Sequence, residues 1–374
     1  AADLEPRLDG TASGTLREGD GVDRETELGL GLEAGWELDL WGRLEATVEA
    51  ERRRFLATAE DYRAAAITLS AEVALAWFEL TEATRQLELA RSQLETNRTV
   101  LEVLEERFEV GQSGAADVLR QRQLVEATRE QLLVLDAVAA VLEHRLAVLE
   151  GRPPQAPSPV DPPDDLPALP GLPGTGLPAE LLGRRPDVRA ALRRLEASDA
   201  EVAAAVRDQY PRLDLSAALR TTAERPSGLF SDWLGTLTAQ LTAPLLDGGL
   251  RAAEIERTEA VRRRRLAEYG AVALEAFREV EDALAREASQ LDRIDSLRAQ
   301  LDLAERTLVQ LRTQYLNGAA DFIDVLTALR EQQALERSLL TARLDRVGVR
   351  VALHRALAGG FPTPADRPAD PGAD

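Results

Sequence analysis

The chain is written twice. Pro6-Arg7-Leu8-Asp9 returns as Pro211-Arg212-Leu213-Asp214, and at the same offset Leu28 to Leu40 falls on Trp233 to Leu245. With the offset grown by two residues, Phe108-Glu-Val-Gly111-x5-Asp117-Val-Leu returns as Tyr315-Leu-Asn-Gly318-x5-Asp324-Val-Leu. A duplication of this extent constrains the fold more than any single motif, because each copy must make the same supersecondary unit. The unit reads as strand, strand, long helix, returning helix.

The strands are two-faced. Leu28, Leu30, Leu32, Ala34, Trp36, Leu38 and Leu40 alternate with Gly or acidic residues, and Trp233, Leu237, Ala239, Leu241, Ala243 and Leu245 keep that phase in the second copy. A period of two places the apolar residues on one side of a sheet. One explanation is a sheet with a core side and a solvent side. The other is a transmembrane barrel strand with a lipid face and a lumen face. Strand length, tryptophans near the ends (Trp36, Trp41, Trp233) and the lack of anything compact to cover favour the second. Four strands cannot close a barrel, so closure requires several chains.

A helix of roughly 65 residues follows the second strand in each copy, on the order of 100 Å at 1.5 Å per residue. Val73, Leu80, Leu87, Leu94, Leu101 and Phe108 step by seven, as do Ile294, Leu301, Leu308 and Tyr315. That period specifies a coiled-coil seam. Gly111 and Gly318 end the long helices, and returning helices follow, with Val118, Val125, Leu132, Ala139 and Leu146 again stepping by seven. The expected organisation is a first repeat over 1–150, with strands near 8–16 and 27–41 and a helical hairpin over 43–149. A Pro-rich linker over 151–178 holds ten of the nineteen prolines and so cannot be helical. A second repeat over 179–358 comprises a helix near 179–208, strands near 213–221 and 233–246 and a hairpin over 249–358. A loose tail occupies 359–374. The counterpart of the 179–208 helix is missing from the first repeat.

Composition removes several function classes. The formal charge is −20, and all 45 basic residues are Arg, so a basic stripe for nucleic acid is lacking; Arg262 to Arg265 is flanked by acids. With no Cys, thiolate metal sites and Cys nucleophiles are excluded. There is no Met, even at position 1, so processing upstream is expected, and a signal peptide or lipid-bearing Cys would lie outside these residues. No window approaches the ~18 apolar residues of a membrane-spanning helix. His144 and His354 lack catalytic neighbours, Gly248-Gly249 reads as a strand-to-helix turn, and the acids from Asp161 to Asp165 read as a solvated linker; the chain is not expected to be an enzyme. Asp117 and Asp324 read as caps of the returning helices.

Four stretches carry a resemblance: Trp36-Glu-Leu-Asp-Leu-Trp-Gly-Arg43; Leu181-Leu-Gly-Arg-Arg-Pro-Asp-Val188 continuing to Tyr210-Pro-Arg-Leu213; Pro244-Leu-Leu-Asp-Gly-Gly-Leu-Arg251 with Ala276-Phe-Arg-Glu-Val-Glu-Asp-Ala-Leu284; and the paired Gly-x5-Asp-Val tips. The chain resembles the outer-membrane efflux protein family, the TolC-like channels, and within it the OprM/NodT-type branch, whose signature includes Arg184, Arg185, Pro186 and Asp187. The resemblance implies a mainly helical protein with a small transmembrane β part: three copies sharing a twelve-stranded barrel continued by a periplasmic helical barrel. It implies an outer-membrane exit duct for drugs or other small toxic compounds, with a periplasmic adaptor and an inner-membrane RND-type transporter as partners and an N-terminal lipid on an upstream Cys. It also implies a gate at the tips formed by Gly111, Asp117, Tyr315, Gly318, Asp321 and Asp324, with Tyr315 reaching Asp117 and three copies of Asp324 forming a carboxylate ring able to hold a divalent cation. Thr327 and Ala320 stand where relatives carry an acid and a base, which weakens that lock. The alternatives are a type I protein-secretion duct of the same family and a soluble coiled-coil scaffold.

Overall fold

The computed structural model describes residues 4–19, 22–156, 163–174 and 178–358. Asp20 and Gly21, part of the linker including Asp161, and the tail over 359–374 lie outside the described residues. The elements run β1 (Arg7–Gly19), β2 (Val22–Leu38), α1 (Arg43–Glu109), α2 (Ala115–Leu149), α3 (Pro178–Arg184), α4 (Pro186–Arg207), β3 (Arg212–Ala223), β4 (Leu234–Thr242), α5 (Leu250–Leu316) and α6 (Phe322–Ala356). Equivalent helices match in length, 67 residues for α1 and α5 and 35 for α2 and α6.

The chain divides into two compact units, Ala1–Asp61 with Pro186–Ala273, and Tyr62–Arg185 with Leu274–Asp374. This division does not follow the repeats: each unit takes its parts from both copies, because strands of one copy pair with strands of the other and the two hairpins share a core.

In the first unit the four strands form one antiparallel sheet in the order β1-β2-β3-β4. Registers such as Ala34↔Ala217 and Ala217↔Leu237 put the even residues of β2 in line with the odd residues of β3 and β4. One face therefore carries Leu28, Leu30, Leu32, Trp36, Leu38, Leu213, Leu215, Leu219, Leu237 and Leu241, and the other Glu33, Glu37, Asp214, Arg220 and the threonines of β4. On the polar face Arg220 pairs with Glu33. The apolar face is not a covered core: Leu237 is 83% and Leu8 70% exposed. Three residues assigned to it lie outside the strands, Leu40 beyond β2, Trp233 before β4 and Leu245 after it. The chain turns out of β2 at Leu40, whose amide donates back to the Leu38 carbonyl.

Both passages from strand to helix use the same device. The Asp39 carboxylate accepts the Glu45 amide at 2.7 Å and the Arg43 guanidinium donates to Glu37 at 2.6 Å. In the second copy Asp247 accepts the Gly249 and Arg251 amides at 3.0 and 3.3 Å. Hydrogen bonding from the Arg251 guanidinium, and then from those amides, holds the Asp247 carboxyl below the usual carboxylate range. Both arginines converge on Asp208 at the end of α4, Arg43 at 3.9 Å and Arg251 at 3.1 Å. Trp41 donates to the Pro211 carbonyl at 2.8 Å and lies against Tyr210, ring centroids 5.2 Å apart.

The single helix expected near 179–208 is two helices. Pro186 lacks an N–H and crowds the preceding turn, so α3 stops at Arg184 and α4 begins at Pro186, where a proline at the first position is tolerated. Ala50 and Ala57 of α1 and Ala190 and Ala197 of α4 are buried. Ion pairs lace the two helices together, Arg53–Glu196 at 2.8 Å, Arg189–Glu60 at 2.6 Å, Arg54–Glu201 and Arg194–Asp61. Each arginine from Arg262 to Arg265 has a carboxylate partner, leaving no basic stripe.

In the second unit the hairpins α1–α2 and α5–α6 share one apolar cluster, and a second lies within α1–α2. One, next to the hairpin turns, joins Leu104, Val118, Leu124, Leu308, Phe322, Val325, Leu326 and Leu329. The other joins Ala76, Leu80 and Leu146. Contrary to expectation, α1 does contain an 18-residue window apolar enough to cross a membrane by length and composition. Only 17% of that window is buried within the chain. The linker over 163–174 lies on α5 and α6. Leu166 is buried, Arg343 donates to Asp165 at 3.1 Å, and Arg350 donates to the Pro170 and Gly171 carbonyls at 2.7 and 3.1 Å while meeting Glu287 at 2.6 Å.

Candidate gate at the hairpin tips

The tips are built alike. At the first, Gly111 adopts φ +76° and donates to the Phe108 carbonyl at 2.9 Å, while Gln112 donates to the Arg107 carbonyl at 2.7 Å. At the second, Gly318 adopts φ +71°, donates to Tyr315 at 3.0 Å, and Ala319 donates to Gln314 at 2.8 Å. This 6→1 and 5→2 pair terminates a helix through one left-handed residue, a conformation that glycine adopts without a Cβ clash.

Neither Asp117 nor Asp324 caps its helix. The cap of α2 is Gly114 and that of α6 is Asp321, whose side chain makes no capping hydrogen bond. Asp117 and Asp324 each stand three residues further on, at the third helical position, where a carboxylate still faces the positive end of the helix dipole. Asp117 is paired with Arg120 at 3.2 Å. Asp324 is exposed, and its carboxylate has no hydrogen-bond or ion-pair partner among the described residues. Among those residues no group of three or more His, Cys, Asp or Glu is placed to hold a metal ion.

Within the chain Tyr315 does not reach Asp117. Its hydroxyl is buried without a hydrogen-bond partner among the described residues. The ring instead packs edge-on to Phe322 with centroids 5.7 Å apart, and the Arg107 guanidinium lies over it at 5.0 Å. Thr327 donates to the Ile323 carbonyl at 2.7 Å, so its hydroxyl serves its own helix. An apolar groove beside this cluster is lined by Val100, Val103, Leu104, Leu316, Val325 and Leu329. The sequence reading missed Arg107 and Phe322; the signal was available in their positions, one turn before Gly111 and four residues after Gly318.

The Arg184-Arg-Pro-Asp187 signature divides in role. Arg184 is exposed and pairs with Glu180 one turn back at 3.1 Å. Arg185 is buried and ties α5 to α6, reaching Glu279 at 2.7 Å and the Ala356 carbonyl at 3.1 Å. Pro186 opens α4, and the Asp187 carboxylate accepts the Val188 amide at 2.9 Å.

The profile of the outer membrane efflux protein family matches residues 1–152 and 177–359. The chain belongs to that family. It is 32% identical over 339 residues to the toluene efflux pump outer membrane protein TtgF of Pseudomonas putida, covering 90% of this chain and 70% of that protein. It is 30% identical over 371 residues to the cation efflux system protein CusC of Escherichia coli K12, covering 96% of this chain and 79% of that one. Among solved structures, the outer-membrane channel OprN superposes with a TM-score of 0.88 at 32% identity, over 96% of this chain and 82% of that one. CusC superposes with a TM-score of 0.86 at 30% identity, over 96% and 84%. The protein is an outer-membrane efflux channel component with the TolC-like fold, its helical part in the periplasm. A soluble scaffold is thereby set aside.

Proposed function

We infer that this protein is the outer-membrane exit duct of a tripartite efflux pump, conducting small toxic compounds passively and closing at the helical tips. The observation that carries the reading is the sheet. It has an exposed apolar face, a polar face, and unpaired outer edges on β1 and β4 among the described residues. Exposed edges and an exposed apolar face are both unstable in water. Three copies pairing β4 to β1 would satisfy every edge with twelve strands, place Leu28, Leu30, Leu32, Trp36, Leu237 and Leu241 against outer-membrane lipid, and line the lumen with the polar face. The same symmetry would bring three Asp324 carboxylates around the axis as a cation-favouring ring. A hydrogen bond between Tyr315 and Asp117 would then form between copies.

An adaptor and an RND-type inner-membrane transporter are the partners this reading requires, and a lipid on an upstream Cys is compatible with it. Relatives that serve efflux pumps by name support small-molecule cargo over secreted protein. The test is reconstitution of detergent-purified protein in planar bilayers, with tolerance to drugs and solvents and the secreted proteome measured in a deletion strain. Trimers with gated conductance and lost tolerance are expected. A monomer without conductance refutes the duct, and unchanged tolerance with lost secretion refutes the cargo. D324A is expected to raise conductance or relieve block by divalent cations; unchanged conductance in open and closed states removes Asp324 from the gate.

A further inference from the structure

Between the two apolar clusters of the second unit lies a belt of buried amides. Asn97 and Gln121 have no exposed surface, and Thr128 and Gln333 are nearly as enclosed, within a single chain. Three helices meet at Asn97. Its Nδ2 donates to Thr128 Oγ1 on α2 at 3.0 Å, Gln333 Nε2 on α6 donates to Asn97 Oδ1 at 3.0 Å, and Gln121 Nε2 on α2 donates to the Asn97 carbonyl at 2.8 Å. Gln93 and Gln86, further along α1, donate to the Gln333 and Arg337 carbonyls of α6 at 3.2 and 3.0 Å.

These contacts differ in what they specify. Backbone carbonyls recur along every helical turn, and the further contacts of Gln93 with Glu336 at 2.7 Å and Arg337 at 2.6 Å, and of Gln86 with Thr341 at 3.3 Å, are only partly buried, so water can replace them after a slip. The apolar seam is indifferent, because Leu80, Leu87, Leu94 and Leu101 recur every seven residues and a slip of two turns sets Leu on Leu again. The reciprocal amide pair is buried: Asn97 Nδ2 donates to Gln333 Oε1 at 3.4 Å and Gln333 Nε2 donates back at 3.0 Å, and a slip of one turn, about 5.4 Å, strands both in an apolar seam. A single buried polar pair is a known means of fixing helix register in coiled coils.

We propose that Asn97 and Gln333 are positioning residues that set the longitudinal register of α1 against α6, and through it the relative height of the two tips at Gly111 and Gly318. This holds whether or not the tips gate a duct.

The chain has no cysteine, so spin labels can be placed at Q112C and A319C, one on each tip turn, with the labelled protein diluted in unlabelled chain. The parent protein is expected to give one narrow tip-to-tip distance by pulsed electron resonance. N97L and Q333L each lower the melting temperature by leaving a lone amide. N97L/Q333L recovers melting temperature yet splits the distance into more than one population, and the exchanged pair N97Q/Q333N restores a single population. One narrow, unshifted population in N97L/Q333L overturns the proposal. If that variant does not fold, Q333M, which keeps length and removes the amide, is read the same way: a split distance supports the register role and a single unshifted one overturns it.

Discussion

Replacing Arg350 by Met tests how the linker is held. Arg350 is buried beside Glu287, which is itself only 1% exposed, and it donates at once to Glu287 and to two linker carbonyls. Removing one member of a buried ion pair costs about 3–5 kcal/mol, because the remaining charge keeps its desolvation penalty. Here Arg346 still donates to the same Glu287 oxygen at 3.1 Å, which places the loss at the lower end, about 3 kcal/mol. The Pro170 and Gly171 carbonyls add little to that figure, since the linker can lift and expose them to water. Lifting also uncovers Leu166. R350M is therefore expected to unfold about 3 kcal/mol more easily in denaturant titrations in detergent, and to be cleaved within residues 163–174 by a broad-specificity protease at concentrations the parent resists. R350M/E287M removes both charges and is expected to recover most of the stability while keeping the linker labile. A loss below about 1 kcal/mol in R350M, or a double variant no more stable than the single one, refutes a buried pair as the anchor.

Other outcomes follow from the tips, the signature and the linker. A Cβ at Gly111 or Gly318 meets nothing within 4 Å, so G111A and G318A carry only the left-handed backbone penalty of about 1 kcal/mol each; thermal unfolding showing more than ~3 kcal/mol contradicts this. R185A is expected to cost about 1–3 kcal/mol by removing the partner of the Ala356 carbonyl and one of the two arginines on Glu279, and R184A less than about 0.5 kcal/mol; equal effects in the same unfolding assay refute the division of roles. Hydrogen bonding from Arg343 holds the Asp165 carboxyl below the usual range. A depressed carboxyl contributes stability that is present above about pH 4 and lost as pH falls through its lower folded value. With both partners partly exposed this is worth less than about 1 kcal/mol, and D165N should flatten the acid limb of linker protection by that small amount.

The duplicated unit was legible because period and tip chemistry are local. Gly111 and Gly318, two hundred and seven residues apart by numbering, end their helices with the same pair of hydrogen bonds. The grouping of parts was not legible, since nothing local says that β2 pairs with β3 across the repeats or that α4 is tied to α1 by ion pairs. The break at Pro186 was written plainly and was overridden by the periodic Ala and Leu on either side. Tyr315 was read through a resemblance toward Asp117, whereas Arg107 and Phe322 compete for its ring inside the chain. Asn97 and Gln333 look like ordinary polar seam positions until three helices are seen to meet. The linker carbonyls of Pro170 and Gly171 carry no sequence signal at all, because any residue supplies a carbonyl.

Asp208 has a consequence for how such a chain can change over generations. Duplicated halves ordinarily drift apart, each tolerating losses that the other does not share. Here one carboxylate faces Arg43, which enters the first long helix, and Arg251, which enters the second. A substitution at Asp208 unsettles both entrances at once, while a substitution at either arginine leaves the other in place. The two entrances therefore cannot vary independently of this one carboxylate.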